Sequence, residues 1–127
     1  MSTLKTANIQ DTSGGNNSTP EEINQGRAKA WVNFNGTGTV AIRNNYNVST
    51  VTDNGTGDYT INFTNAFANA NYAVTGSSGG QGNTTNGAVY QFDQSTAKTT
   101  SACRVAIIAT SGSLVDTPQI AIAFFGD

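Results

Sequence analysis

The chain lacks the residues on which most enzymatic chemistry depends. It has no histidine and one cysteine among its 127 residues, so no nucleophile–histidine pair exists and zinc ligation by these residue types is excluded. A single cysteine also excludes an intrachain disulfide, and Cys103 lies in the apolar run 102–109, where a small buried side chain is expected. Stability must therefore come from packing or from assembly, and we expect no enzymatic activity.

Charge is also scarce. Charged residues make up 11% of the chain, under half of the usual share of about 25%, and the net charge is -2. The basic residues Lys29, Arg43, Lys98 and Arg104 are scattered and form no patch, which argues against nucleic-acid binding. Arg104 begins an apolar segment, where we expect it to pair with an acid or to extend its head group to water.

Long apolar runs and targeting signals are missing. No run approaches the roughly 20 residues that a membrane-spanning helix needs, so no membrane association is expected. The first ten residues, MSTLKTANIQ, do not have the charged and apolar regions of a signal peptide. An extracellular type of composition without an export signal favours a virion protein, assembled in the host cytoplasm and released by lysis.

What the chain has in abundance is Asn and Thr, which supply 16 and 19 of the 127 residues. Thr suits strand surfaces, whereas Asn and Gly suit turns. Apolar and polar residues alternate with a period of two over 29–35 and 59–64, which is typical of half-buried antiparallel strands.

Turn signals recur every 8–12 residues or so, which is the spacing of a sandwich or barrel. We predict an all-β fold, a single antiparallel β-sandwich of jelly-roll-like type with an extended N-terminal arm. The arm covers 1–27 and the sandwich body covers 28–127. The predicted strands are 28–35, 39–43, 48–53, 58–64, 71–76, 87–92, 102–110 and 118–125.

The arm contains one helix signal and few apolar residues. The segment 19–22, Thr-Pro-Glu-Glu, forms a capping box that predicts a short helical turn ending near Gly26. Leu4, Ile9 and Ile23 are the apolar residues that we expect to tether the arm to a virion.

The last two predicted strands are apolar on both faces, whereas a sandwich strand ordinarily has one wet face. Either they lie at the centre of a core, or one face meets a neighbouring subunit. Trp31 poses the same alternative, because it lies on the polar side of its strand and either caps a core edge or anchors an interface. The candidate oligomer-interface residues are Trp31, Val105, Ile107, Ile120, Ile122 and Phe124.

The acidic residues offer one weak binding signal. Asp53 and Asp58 bracket a turn that is either a hairpin loop with an Asx turn or a surface Ca²⁺ site. The spacing does not match an EF-hand loop, so no metal or cofactor is predicted. Asp53, Asn54 and Asp58, with Gln81 and Asn83 of the long loop 76–87, are candidates for outward-facing loops that meet a host glycan.

Four segments carry a resemblance to a known class of proteins. They are Gly26–Gly36 (GRAKAWVNFNG), Tyr46–Ser49 (YNVS), Asp53–Thr60 (DNGTGDYT) and Ala70–Val74 (ANYAV). The region from about residue 9 to 74 resembles a module of tailed-phage structural proteins, especially tail fibres of marine and cyanobacterial phages. The resemblance implies a virion β protein, a homotrimer, with no catalytic residues to carry over.

These observations lead to a functional expectation with two alternatives. We expect a non-enzymatic virion structural protein of the tail-fibre or receptor-binding type, whose partners are other copies of itself, other virion proteins and a host surface glycan. Tail fibres are usually much longer, which leaves a capsid decoration (cement) protein as the first alternative. A free carbohydrate-binding module is the second.

Overall fold

The computed structural model describes residues 1–80, 87–91 and 98–127. One helix is followed by eight strands, and each strand lies within two or three residues of its predicted position. The helix is α1 (Pro20–Gly26), and the strands are β1 (Ala30–Asn35), β2 (Ala41–Tyr46), β3 (Val48–Gly55), β4 (Asp58–Phe63), β5 (Ala73–Gly79), β6 (Gly87–Gln91), β7 (Ala102–Ala109) and β8 (Gln119–Phe125).

The strands form two four-stranded antiparallel sheets, in the orders β2-β1-β8-β5 and β3-β4-β7-β6. The predicted all-β sandwich is therefore confirmed. Eight strands in two layers match the strand number of a jelly roll, and β1 and β8 are neighbours. The hairpins β1–β2 and β3–β4 each stay within one sheet, however, so the connections do not cross between the layers at every step.

The core lies between the two sheets because the strands alternate as the sequence predicts. Ala30, Val32 and Phe34 of β1 are buried, with the intervening residues partly exposed. From the other sheet, Tyr59 and Ile61 of β4 pack into the same core. The Phe34 and Tyr59 rings meet edge to face, with centroids 5.2 Å apart.

Five of the six predicted oligomer-interface residues belong to this core. They are at most 2% exposed and point toward the opposite sheet of the same chain, so their assignment to a subunit interface is wrong. The apolar inner face of β7 and β8 is covered inside one chain, and half of the residues on their other faces are alanines. The corrected residues are Val105, Ile107, Ile120, Ile122 and Phe124.

The predicted helical turn is present and is capped as expected. Thr19 Oγ1 accepts a hydrogen bond from the Glu22 backbone N–H at 3.1 Å, and Glu22 Oε2 accepts one from the Thr19 N–H at 2.7 Å. These reciprocal bonds satisfy two donors that the helix itself leaves unpaired. Across the described ranges, no helix has the length and apolar character needed to cross a membrane.

The sandwich has two distinct ends. Helix α1 packs at the end where β8 finishes, because Gln25 Nε2 donates to Asp127 Oδ1 at 2.8 Å and Lys29 Nζ donates to Asn24 Oδ1 at 2.7 Å. The opposite end holds the β1–β2 turn, the β3–β4 turn and the segment before β8. We call these the helix end and the turn end.

The turn end is fixed by one carboxylate. Asp116 Oδ1 accepts a hydrogen bond from the Gly57 N–H at 2.7 Å and lies 2.6 Å from Tyr59 Oη. Gly57 has φ +65°, and a Cβ there would lie 2.6 Å from the Val115 backbone nitrogen, so only glycine fits this turn. The β3–β4 turn is thereby locked against the segment that leads into β8.

Candidate interaction surface

No group of three or more His, Cys, Asp or Glu side chains could hold a metal ion among residues 1–80, 87–91 and 98–127. Cys103 is fully buried, and burial raises the pKa of its thiol, which keeps it protonated and unreactive.

Trp31 marks a surface on the outer face of the β2-β1-β8-β5 sheet. It alternates with the buried residues of β1, so its side chain points away from the core and is partly exposed. The strand register places Trp31 opposite Tyr46 on one side and Ala123 on the other, and Ala123 opposite Thr75. Two aromatic residues, an alanine and a threonine thus form one row across the sheet. Of the predicted interface residues, only Trp31 lies on an outer face.

A second row runs parallel to the first, two residues further along each strand. Asn33 lies opposite Asn44 and Ala121, and Ala121 lies opposite Ser77. Rows of this kind are separated by about 6.6 Å along the strand, whereas neighbours within a row lie about 4.8 Å apart. Amides and a hydroxyl are therefore arrayed directly beside the aromatic row.

The two rows enclose a shallow depression of about 470 Å³, which we call the Trp31 groove. Its floor is low because Ala121 and Ala123 are the outward-facing residues that β8 contributes to it, and each presents only a methyl group. β5 approaches closely at Gly76, where a Cβ would lie 2.9 Å from the Ala121 carbonyl oxygen and 3.1 Å from Val89 Cγ2. The groove is formed mainly by Trp31, Thr75, Gly76, Ser77, Ala121 and Ala123.

No charged residue lines the Trp31 groove. The cation on the neighbouring strand is Arg43, whose Nη1 lies 3.4 Å from Asn33 Oδ1 and whose Nη2 donates to the Pro118 carbonyl oxygen. The guanidinium is thus held against the turn end of the sheet. The groove offers aromatic surface, methyl groups, hydroxyls and amides, all of them neutral.

The polar groups of the groove differ in how far the protein satisfies them. Asn33 accepts the Arg43 bond, and the Asn44 side-chain oxygen accepts a bond from the Asn45 N–H at 2.9 Å. Within the part of the chain that the structure describes, the exposed hydroxyls of Thr75 and Ser77 make no side-chain hydrogen bond. These two hydroxyls are available to a ligand.

The outer face of the other sheet, which we call the Asp58 face, has a different character. Asn62 Nδ2 donates to Thr50 Oγ1 and Thr52 Oγ1, both at 3.0 Å. Arg104 Nε donates to Asp58 Oδ1 at 2.9 Å, and Nη2 bonds the second carboxylate oxygen. The expected pairing of Arg104 with an acid is confirmed.

Asp58 is therefore not an outward-facing loop residue. It is 8% exposed and lies at the start of β4, so its predicted role in an outer loop is wrong. The hydrogen bond from Arg104 holds the pKa of the Asp58 carboxyl below its ordinary value, with a smaller contribution from Asn54. The carboxylate is committed to the protein itself.

The hydrogen bonds of the β3–β4 turn favour the Asx turn over the surface Ca²⁺ site. Asp53 Oδ1 accepts a bond from the Gly55 N–H at 2.9 Å, which is an Asx turn. With Asp58 bound to Arg104, the two carboxylates do not form a Ca²⁺ site. Asp53 and Asn54 are exposed, but they belong to the last residues of β3 and not to a loop. Gln81 and Asn83 lie outside the described residues.

The three predicted tether residues lie together. Leu4, Ile9 and Ile23 are 82%, 52% and 43% exposed and share a groove of about 310 Å³ with Pro20. Ile9 is positioned by paired backbone hydrogen bonds with Ser18, each 2.8 Å long. This apolar cluster in residues 1–27 is uncovered in the single chain.

The sequence identified Trp31 but not the rest of its groove. Thr75, Ser77, Ala121 and Ala123 come from strands far along the chain, and their neighbourhood depends on β8 lying between β1 and β5. The usable signal was the pair of alternate alanines, Ala121 and Ala123, which marks the middle of one face of β8 as lacking large side chains. Comparisons with known protein families, with curated proteins and with solved structures find no match.

Proposed function

We propose that this chain is a non-enzymatic structural protein of a phage virion, of the tail-fibre or receptor-binding type. The support from sequence is the resemblance carried by the segments Gly26–Gly36 and Asp53–Thr60. The support from structure is that these segments form a strand, a turn and the start of another strand in a β-sandwich.

The observation that carries the proposal is the polarity of the sandwich. Residues 1–27 enter at the helix end, where Gln25 and Lys29 bond to Asp127 and Asn24. The β3–β4 turn and the last residues of β5 lie at the turn end, since Gly79 pairs with Gln119 at the start of β8. A protein attached at the helix end leaves its turn end and its outer sheet faces free to meet a partner.

The apolar cluster of Leu4, Ile9 and Ile23 favours the capsid decoration protein as a second candidate. Exposed apolar side chains in a terminal segment are suited to bind a groove on another virion protein. Both roles use the same end of the molecule for attachment. They differ in how many copies a particle carries and in whether the outer surface meets a host.

The homotrimer implied by the resemblance belongs to both candidates. Since the five inward-facing residues of β7 and β8 fill the core, a trimer must form through other surfaces. The cluster of Leu4, Ile9 and Ile23 is one such surface that the single chain leaves open.

The copy number of the chain in purified virions tests the proposal. Quantitative mass spectrometry with isotope-labelled peptides would be referenced to the major capsid protein of the same particles. We expect tens of copies or fewer for a tail or vertex fibre, whereas hundreds would establish the decoration protein instead. Absence of the chain from extensively washed particles would overturn both.

A further inference from the structure

We propose that the Trp31 groove is a binding site for a neutral glycan. The proposal deepens the receptor-binding role and rests on it, and it assigns the recognition to an outer sheet face. Binding by the purified protein is measured separately from its copy number on particles, so either proposal can fail alone.

The shape and size of the groove suit a sugar ring. Its volume of about 470 Å³ lies within the range of roughly 300–1,000 Å³ that is usual for small-ligand sites. The alanine methyl groups of β8 form a low floor, and the Trp31 ring borders it on the β1 side. The electron-rich face of an indole ring attracts the polarised C–H groups that line one side of a sugar ring.

Hydrogen-bonding groups border the groove on both sides of its alanine floor. The exposed hydroxyls of Thr75 and Ser77 are two residues apart on β5. The alanines of β8 separate Thr75 from Trp31 and Ser77 from Asn33. A hydroxyl both donates and accepts, and an amide does the same with separate atoms. A sugar lying on the alanines would present its equatorial hydroxyls to these groups while its C–H face contacts the indole.

The lining of the groove is electrically neutral. No acidic or basic side chain lines the groove, and Arg43 is engaged by Asn33 and the Pro118 carbonyl. An anionic sugar would enter without a cation to pair with its carboxylate or sulfate, and an ammonium group would find no carboxylate. The groove therefore selects ligands that are polar but uncharged.

A second copy of this chain fits the groove less well. A stable interface buries roughly 800 Å² on each partner and has an apolar centre. Here the apolar part comprises Trp31, Tyr46 and Phe125 with three alanines, and the neutral polar residues Asn33, Asn44 and Ser77 lie directly beside it. The mixture of one aromatic wall with neutral polar groups matches a sugar better than a subunit.

The chain carries its own reporter, because Trp31 is its only tryptophan. The full-length protein would first be applied to a printed array of neutral oligosaccharides ending in glucose, galactose, mannose or N-acetylglucosamine, with sialylated and sulfated counterparts beside them. The glycans bound would then be titrated in solution to millimolar concentrations. We expect a saturable blue shift of the tryptophan emission.

Two variants with the same chemical change separate the groove from the rest of the surface. Ala123→Arg fills the groove but keeps Trp31 as the reporter, and we expect it to weaken binding at least about tenfold. Ala88→Arg places the same side chain at an exposed position of β6, on the Asp58 face, and binding should stay within about twofold of the original protein. Circular dichroism and the unfolding midpoint verify that both variants fold.

A third variant probes the hydrogen bonds. Ser77→Ala removes one hydroxyl at an exposed position, and we expect a two- to tenfold loss of affinity by calorimetry, as for one neutral hydrogen bond. Ser49→Ala, on the exposed side of β3, is the control: it removes a hydroxyl that donates to the Asn62 carbonyl oxygen at 3.1 Å and should leave the affinity unchanged.

Three results would overturn the proposal. The first is that no neutral glycan on the array binds at millimolar concentration. The second is binding restricted to sialylated or sulfated glycans. The third is that light scattering shows an oligomer that Ala123→Arg converts to a folded monomer, since the groove would then be a contact between copies of the chain.

Discussion

The two outer faces of the sandwich are each formed by four strands, but they differ in whether their polar side chains bond to one another. On the Asp58 face, Asn62 bonds two threonine hydroxyls and Arg104 bonds both oxygens of Asp58. On the Trp31 face, the hydroxyls of Thr75 and Ser77 have no side-chain partner in the described part of the chain.

The difference shows how a surface with little charge can keep polar groups open to a ligand. Polar side chains that bond one another across strands stabilise the sheet and leave little to offer a ligand. Polar side chains separated by alanines cannot reach one another, so their hydrogen bonds remain open to water or to a partner. An aromatic ring beside such groups gives a ligand apolar contact as well.

The largest predicted effect concerns the core that underlies both faces. Phe124→Ala should lower the free energy of unfolding by about 3–5 kcal/mol, because a fully buried ring is replaced by a cavity. Phe125→Ala, on the partly exposed side of the same strand, should cost about 1 kcal/mol. Urea unfolding followed by circular dichroism measures both.

This pair also tests the reassignment of the β8 residues from an interface to the core. Phe124→Leu gives a milder version of the change if the alanine variant does not fold. A Phe124 variant of unchanged stability that has lost an oligomer in light scattering would restore the interface interpretation.

The next effect concerns the close approach that shapes the Trp31 groove. Gly76→Ala should cost about 2 kcal/mol, because the new methyl group meets the Ala121 carbonyl at 2.9 Å and β5 has to move. Gly79→Ala in the same strand meets its nearest atom only at 4.0 Å, so its stability should be nearly unchanged. Equal stabilities of the two variants would show that β5 does not approach β8 this closely.

The smallest effect concerns the ion pair of the Asp58 face. Arg104→Ala should lower the unfolding midpoint modestly at neutral pH, because the Arg104 side chain is 42% exposed and solvent screens the ion pair. Arg43→Ala, the matched change beside the Trp31 face, should cost less than about 0.5 kcal/mol. Thermal unfolding of both variants measures the contrast.

The same ion pair gives a pH dependence of known sign. The pKa of folded Asp58 is lowered from the unfolded value of 3.8, so the pair stabilises the protein above pH 3.8 and the contribution is lost as the pH falls through the folded value. The penalty of Arg104→Ala should therefore shrink below pH 3.8. A penalty that stays constant down to the acid limit of folding would contradict this account.

The fold was predictable because local signals agree with the final structure. Alternation with a period of two located the strands, and the capping box of Thr19 and Glu22 located α1. The same alternation placed Trp31 on the side of β1 that faces away from the core residues Val32 and Phe34. Each of these inferences depends on residues that are neighbours in sequence.

The errors arose where the answer depends on contacts between distant segments. Val105 and Phe124 are apolar in strands that look apolar on both sides, and only the sheet order shows which side is covered within the chain. Asp58 looked like a turn residue because its partner Arg104 lies 46 positions away. The Trp31 groove needs three strands whose adjacency follows from no local pattern.

Host adsorption of particles that carry the groove variant tests the central claim most directly. On the proposed receptor-binding role, phage with Ala123→Arg should adsorb to host cells at least about tenfold more slowly than phage with Ala88→Arg, while both particles retain the original copy number of the chain. Equal adsorption rates at equal copy number would contradict the account, because the Trp31 groove would then play no part in recognising the host.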